Sequence, residues 1–159
     1  MEEKKLDVGL GDRLMEARNE SLKKMKELTL RPHGKLWGMD VFSWYQPNVN
    51  LLSNTLHSFP FPVVWVGNAA DINQTIDEDP SVCVQLNSVI TFDNPFFSLS
   101  LETMTKIDNV GGVNSLEEAL ILLKSVKKKN SVLLFSASGE NWSHKKEIFE
   151  EFLNVHQNN

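Results

Sequence analysis

Four histidines, one cysteine and a run of three carboxylates are the residues whose types first suggest chemistry in this chain. A zinc site needs His, Cys or carboxylate ligands converging at set spacings, as in HExxH or paired Cys-x-x-Cys. His33, His57, His144 and His156 fall into no such pattern. His144 and Glu147 share a helical face, but a lone pair at that spacing reads first as a surface contact. Asp77, Glu78 and Asp79 are adjacent, and neighbouring carboxylates rarely converge on one ion, so they read as solvated. No metal site is expected. The chain also lacks the GxSxG nucleophile elbow, the phosphate loop ending in GK[ST] and the GxGxxG turn. Gly9-Leu10-Gly11 has neither a third glycine nor a preceding strand, so it is not read as a phosphate site. Ser43 and Ser136 could serve an enzyme of unrelated chemistry, but no base is recognisable beside either in sequence. No cofactor is implied.

What remains is polar chemistry at the ends of apolar runs. Val63-Val64-Trp65-Val66 runs into Gly67-Asn68-Ala69-Ala70-Asp71, and Val132-Leu133-Leu134-Phe135 runs into a Ser- and Gly-rich stretch ending at Asn141-Trp142-Ser143. In open parallel α/β sheets, ligands sit where strands end and loops begin. Ser43, Gln46, Asn68, Asp71, Ser136, Ser138, Asn141 and Trp142 are therefore the candidate ligand-binding residues. A small anionic or peptide-like ligand suits such groups. The plainer reading of each is a helix cap or a turn. Among the four tryptophans, Trp142 is the one expected to be exposed at a site; Trp37, Trp44 and Trp65 read as core.

The elements that must position these residues follow from periodicity. Ser115 with Glu118 matches a capping box, and Leu116, Ala119, Leu120, Leu123 and Val126 then fall on one helical face. Lys124, Lys127, Lys128 and Lys129 complement the negative end of that helix, and Asn130 suits a left-handed close. Val132 to Phe135 is apolar on both faces, which predicts a central parallel strand. Burial of those four side chains, roughly 1.5–3 kcal/mol each, outweighs the cap at about 1 kcal/mol. Upstream, residues 29–35 are expected to break the helix predicted before them, at Pro32 and Gly34. A strand is predicted around Met39 to Tyr45, then a helix from Pro47 with Val49, Leu52, Leu56 and Phe59 inward. Residues 72–80 are a short helix or a loop. Val82–Leu86 and Val89–Phe92 are one or two strands, placing Cys83 within a buried strand as a core thiol. Asn94-Pro95 is expected to open a helix carrying Phe96 through Ile107, and Val110 to Val113 a short edge strand. The last helix runs from about Ser143 to Val155. Near the start, Leu10, Leu14, Ala17, Met25 and Leu28 form a thin apolar stripe on a predicted helix over 10–28. That stripe docks on its own domain, on a partner or on a second copy of the chain.

Bulk properties exclude whole classes. The chain has 159 residues, a net charge of −5 and 41% hydrophobic residues, which suits one α/β domain with a real core. The acidic balance argues against nucleic acid, and the Lys127–Lys129 run reads as a solvated helix end. A single cysteine permits no internal disulfide and fits a reducing compartment. The first residues lack a signal peptide's apolar core, and no run approaches the roughly 18 apolar residues of a membrane span. The expected location is cytoplasmic.

The ordered pattern resembles the C-terminal domain of the muramyl (Mur) ligases, particularly the D-glutamate-adding member. That family carries a Pro-His-Arg stretch, an Asp-Ser-Lys-Ala-Thr-Asn motif entering a helix, and a Val-Ile-Leu-Ile strand ending in Gly-Gly. Later come Val-Leu-Leu-Ser-Pro-Ala and Ser-Phe-Asp. The counterparts here are Arg31-Pro32-His33, Val41 to Gln46 before Pro47, and Val63 to Asn68. The late pair is Leu133 to Ser138 with Asn141-Trp142-Ser143. The resemblance spans roughly residues 28–153 and implies a three-layer, mostly parallel, Rossmann-like sheet with helices on both faces. The family's motif lysine falls on Ser43, its motif aspartate on Val41, and its separate ATP-binding domain has no counterpart in this length. The resemblance therefore implies residues 1–28 as a helical extension and 29–159 as one free-standing domain, non-catalytic and accessory, linked to cell-wall precursor metabolism. The other reading is a protein-interaction domain that uses residues 10–28, alone or as a homodimer.

Overall fold

Val63–Val66 and Val132–Phe135 have no polar face to offer water, so each needs strands beside it and helices above and below. In the computed structural model, which describes residues 30–157, these two runs lie side by side and parallel. Val63 is opposite Val132 and Val66 opposite Phe135. The expected helix over 10–28 and the Gly9-Leu10-Gly11 triplet lie outside the described residues.

In chain order the elements are β1 (Arg31–Leu36), β2 (Met39–Tyr45), α1 (Val49–Ser58), β3 (Val63–Gly67) and α2 (Ala69–Glu78). A 3-10 turn (Pro80–Val84) follows, then β4 (Leu86–Thr91), α3 (Leu101–Met104), β5 (Asn109–Gly112), α4 (Leu116–Val126), β6 (Ser131–Ala137) and α5 (Trp142–Gln157). One sheet holds the strands in the order β1-β2-β6-β3-β4-β5, parallel throughout except for β1 against β2. Two apolar clusters flank it. Leu52, Leu56, Ile72 and Ile76 from α1 and α2 cover one face with Trp44 and Trp65. Leu116, Leu120, Leu123, Phe149 and Leu153 from α4 and α5 cover the other with Val41, Val64 and Phe135. This is a three-layer α/β fold with a mostly parallel sheet. All seven residues of β6 are buried, which makes it the centre of the core.

Local chemistry explains the ends of these elements. Ser115 Oγ accepts the Glu118 N–H at 3.2 Å and starts α4. Asn48 caps α1, its Oδ1 accepting the Asn50 N–H. Asn130 is left-handed (φ 60°), as its type allows, but it sits beyond the end of α4 and leads into β6, with its N–H on Gly38 O.

Several expectations change. Residues 31–36, read from the sequence only as a break in the helix, are themselves a strand. They form an edge strand antiparallel to β2, with the register shifting between Pro32 and Lys35. A proline, a bulge and a lysine suit an edge that must not recruit another strand. The turn into β2 places Trp37 (φ 51°) and Gly38 (φ 84°) at positive φ, as a two-residue type I′ hairpin requires. Trp37 is therefore a half-buried turn residue and not a core one. Cys83 is buried but lies in the 3-10 turn, not in a strand. Pro80 sets that turn's first φ, and Asp79 caps it by accepting the Ser81 N–H. Burial pushes the Cys83 thiol pKa up, away from the reactive range. A full helix over 96–107 does not form. Asn94 Oδ1 takes the Phe96 N–H in a local turn, and only Leu101–Met104 is helical, capped by Ser100. Residues 86–91 are a single strand, and the acidic stretch after Asn68 is the helix α2.

Candidate functional site

The carboxyl ends of β2, β6, β3, β4 and β5 share one rim. From it, β2 and β3 lead into helices on one face, while β6, lying between them, leads into α5 on the opposite face. Backbones that part in opposite directions leave a crevice at the rim, the place where ligands bind in open α/β sheets. All the predicted site residues lie on or near the three strands and loops that meet there.

Three of them interlock with each other. The Ser138 N–H donates to Asn68 Oδ1 at 2.8 Å, and Ser138 Oγ donates to Asp71 Oδ2 at 2.7 Å. Asn68 Nδ2 in turn donates to Asp93 Oδ2 at 2.9 Å, and Asp93 Oδ1 accepts the Ala69 N–H, also at 2.9 Å. A carboxylate at that position also favours the positive end of α2. Asn68 thus bridges the loops after β3, β4 and β6, with both ends of its amide engaged. Asp71 is buried, and that burial raises its pKa. The Ser138 hydrogen bond opposes the rise and the nearby Asp93 charge adds to it. Gly67 allows this close meeting of strands: a Cβ there would lie 2.6 Å from Ser136 Oγ.

The hydroxyls of Ser43 and Ser136 lie in the core. Ser136 Oγ accepts the Trp65 Nε1–H at 2.9 Å between two fully buried side chains. Ser43 pairs with His33 Nε2 at 2.6 Å. That supplies a base beside Ser43 that the sequence alone does not reveal, but Ser43 is 0% exposed and no outside molecule reaches its oxygen. The pair fastens β1 to β2. Burial lowers the His33 pKa, and Glu150 opposes that shift.

The remaining predicted residues form an open shelf at the β2/β6 end of the rim. Gln46 is exposed and left-handed (φ 51°), its N–H bonded to Ala137 O at 2.7 Å. Asn141 is exposed at the start of α5 and Trp142 is half-buried. Gly139, in the loop before them, has a φ of 87° and open space on its Cβ side. Beneath the shelf is Tyr45, whose ring lies 6.1 Å from that of Trp142. Arg31 and Lys146 each approach the Tyr45 ring, at 5.7 and 5.6 Å from its centroid. Burial pushes the Tyr45 phenol up to about 12, against the opposing pull of the Ser43 hydroxyl, so it stays protonated at neutral pH. Its oxygen is enclosed and makes no well-formed hydrogen bond. Sequence reasoning missed Arg31, Tyr45, Lys146 and Asp93 as members of the rim. A signal for Lys145 and Lys146 existed, since two lysines early in a helix work against its dipole and so need another reason.

Among the described residues no group of His, Cys, Asp and Glu is arranged to hold a metal ion, and no helix is long and apolar enough to cross a membrane. No protein-family model matches the chain, and no curated protein matches it in sequence. Among solved structures, the chain is similar to a domain assigned to a UDP-N-acetylmuramate:L-alanyl-gamma-D-glutamyl-meso-diaminopimelate ligase of Haemophilus ducreyi. The TM-score is 0.49 at 10% identity, covering 79% of this chain and 98% of that domain.

Proposed function

We propose that this α/β domain binds a small anionic or peptide-like ligand on the shelf formed by Gln46, Asn141, Trp142 and the two cations Arg31 and Lys146. The observation that carries this reading is the convergence of those cations on Tyr45, next to the open amino end of α5. Arg31 is suited to planar, bidentate contact with a carboxylate or phosphate, while Lys146 offers a point charge. The helix end adds backbone N–H donors and a favourable dipole for the same charge. Trp142 provides an aromatic wall.

The resemblance of the sequence to Mur ligase C-terminal domains suggests the ligand class, a muramyl nucleotide, a muramyl peptide or its amino-acid component, handled in the cytoplasm. The role is accessory. Ser43 stands where that family has its motif lysine, and its burial keeps it from any ligand on the shelf. The test is a titration of the full chain with UDP-muramyl compounds and amino acids, read by tryptophan fluorescence. Saturable quenching that disappears in Trp142→Phe, together with binding that survives by calorimetry, supports the shelf. No response to any compound by either method overturns it.

A further inference from the structure

Arg31 and His33 stand two residues apart on β1, and both turn to the face of the sheet that α5 covers. Arg31 approaches the Tyr45 ring at 5.7 Å and belongs to the shelf. His33 lies edge-on to Phe149 of α5 and holds Ser43 Oγ at 2.6 Å. Alternate residues of a strand are about 7 Å apart, inside the Debye length of about 8 Å at physiological salt. A charge on one is therefore felt at the other. His33 is half-buried, and its outer side opens on a polar hollow of about 350 Å³ lined with Glu150, Asn154 and Gln157. Water can exchange a proton with the ring there, toward the carboxyl end of α5, while the shelf lies at its amino end.

We propose, resting on the shelf reading above, that the shelf takes up an anion together with a proton on His33, each event strengthening the other. Burial is the main cause that lowers the His33 pKa; Glu150 opposes it, and the Arg31 charge lowers it further. An anion on Arg31 cancels that last push and leaves the burial and Glu150 as they were. The ring then holds its proton more tightly, and by reciprocity the protonated ring holds the anion more tightly. Anion affinity therefore rises as pH falls through the histidine range, and the gain is absent once the ring is neutral in both states. Among the described residues the other charges nearby are engaged elsewhere. Lys35 pairs with Asp40 at 3.1 Å, and Lys146 lies over Tyr45 on the shelf itself. From β2, Ser43 and the protonated Tyr45 bring no charge.

Inorganic sulfate is the probe, since its own charge is constant over the histidine range, and nuclear magnetic resonance on the full chain reads both ends of the linkage. At matched ionic strength, sulfate should raise the titration midpoint of the His33 ring. The amides of Asn141 and Trp142 should report sulfate binding roughly two- to fivefold tighter at pH about 5 than at about 7.5, the scale of one exposed charge pair. Arg31→Ala should remove the shift in the His33 midpoint. His33→Gln should keep sulfate binding and free it of pH. His144→Gln, on the exposed first turn of α5, should leave both the shift and the pH dependence in place. A His33 midpoint that ignores sulfate while the shelf amides respond overturns the linkage alone; if neither responds, the shelf falls with it. A shift that persists in Arg31→Ala also overturns the linkage, as does a pH dependence that follows His144 and not His33. Sulfate linkage without a response to any UDP-muramyl compound would remove the ligand class assigned above and uphold the coupling.

Discussion

The backbone N–H of Ser138 donates to the side-chain oxygen of Asn68 at 2.8 Å, joining the loops that leave β6 and β3. Because the same amide also holds Asp93, one asparagine ties three strand ends together. Asn68→Ala should remove both bonds and strand a backbone donor in a half-buried setting. The expected loss is about 1–3 kcal/mol of stability, measured as a lower urea midpoint. An unchanged midpoint would show that water satisfies these groups equally well.

Asp71 gives a pH signature of definite sign. Its folded pKa is raised above the unfolded 3.8, chiefly by burial, so the folded state binds the proton more tightly. The stability this contributes is complete below pH 3.8 and is lost as pH rises through the raised folded value. Asp71→Asn keeps an acceptor for Ser138 and removes the titration. As pH rises from about 3 to about 7, the wild type should therefore lose stability relative to Asp71→Asn, read as a widening gap between their urea midpoints. A constant difference across that range counts against a buried, proton-favouring site.

His33 has the opposite sense. Burial lowers its pKa, so the folded state prefers the neutral ring bonded to Ser43. Its contribution is present above 6.5 and is lost as pH falls from there through the lowered folded value. His33→Gln removes this titration. The wild type should lose stability relative to His33→Gln as pH drops from about 7.5 to about 5, read from thermal midpoints at matched ionic strength. Parallel curves would mean that His33 titrates as in the unfolded chain.

Gly67 should not tolerate even a methyl group. A Cβ at this position would meet Ser136 Oγ at 2.6 Å and Trp65 Nε1 at 3.0 Å, both belonging to a buried hydrogen bond. Gly67→Ala should cost about 1–3 kcal/mol through overpacking. Pairing it with Ser136→Ala, which clears the nearest atom, should restore part of that loss; strictly additive losses would refute the steric account.

For the shelf, Arg31→Ala and Lys146→Ala should each weaken binding of an anionic ligand by roughly tenfold and flatten its salt dependence. Lys35→Ala, at the far end of β1, should leave affinity unchanged. Equal effects from all three would indicate a diffuse field instead of a site.

Some of this is legible in the sequence and some is not, for identifiable reasons. β3, β6 and α4 announce themselves because burial on both faces, or on one helical stripe, leaves a strong apolar pattern. β1 does not, since Arg31–Leu36 is mostly exposed and pairs on one side only, so hydrophobic periodicity carries no information there. The 3-10 turn imitates a strand because Val82 and Cys83 are buried neighbours. At the rim, Asn68, Asp71 and Ser138 stand out as polar groups after apolar runs, and they do meet. Asp93 joins them only because β4 lies parallel beside β3. Likewise, Arg31 and Lys146 come together only because α5 folds back across the edge strand.

The position of β6 also bears on how this chain is made. Its neighbours β2 and β3 both emerge from the ribosome well before it does, and they must wait about 10 Å apart for a strand not yet synthesised. Until Ala137 has left the exit tunnel, the nascent polypeptide presents two bare sheet edges instead of one continuous platform. Slow translation through the lysine-rich stretch before Ser131 would prolong that exposure, making this the interval in which a chaperone has most to protect.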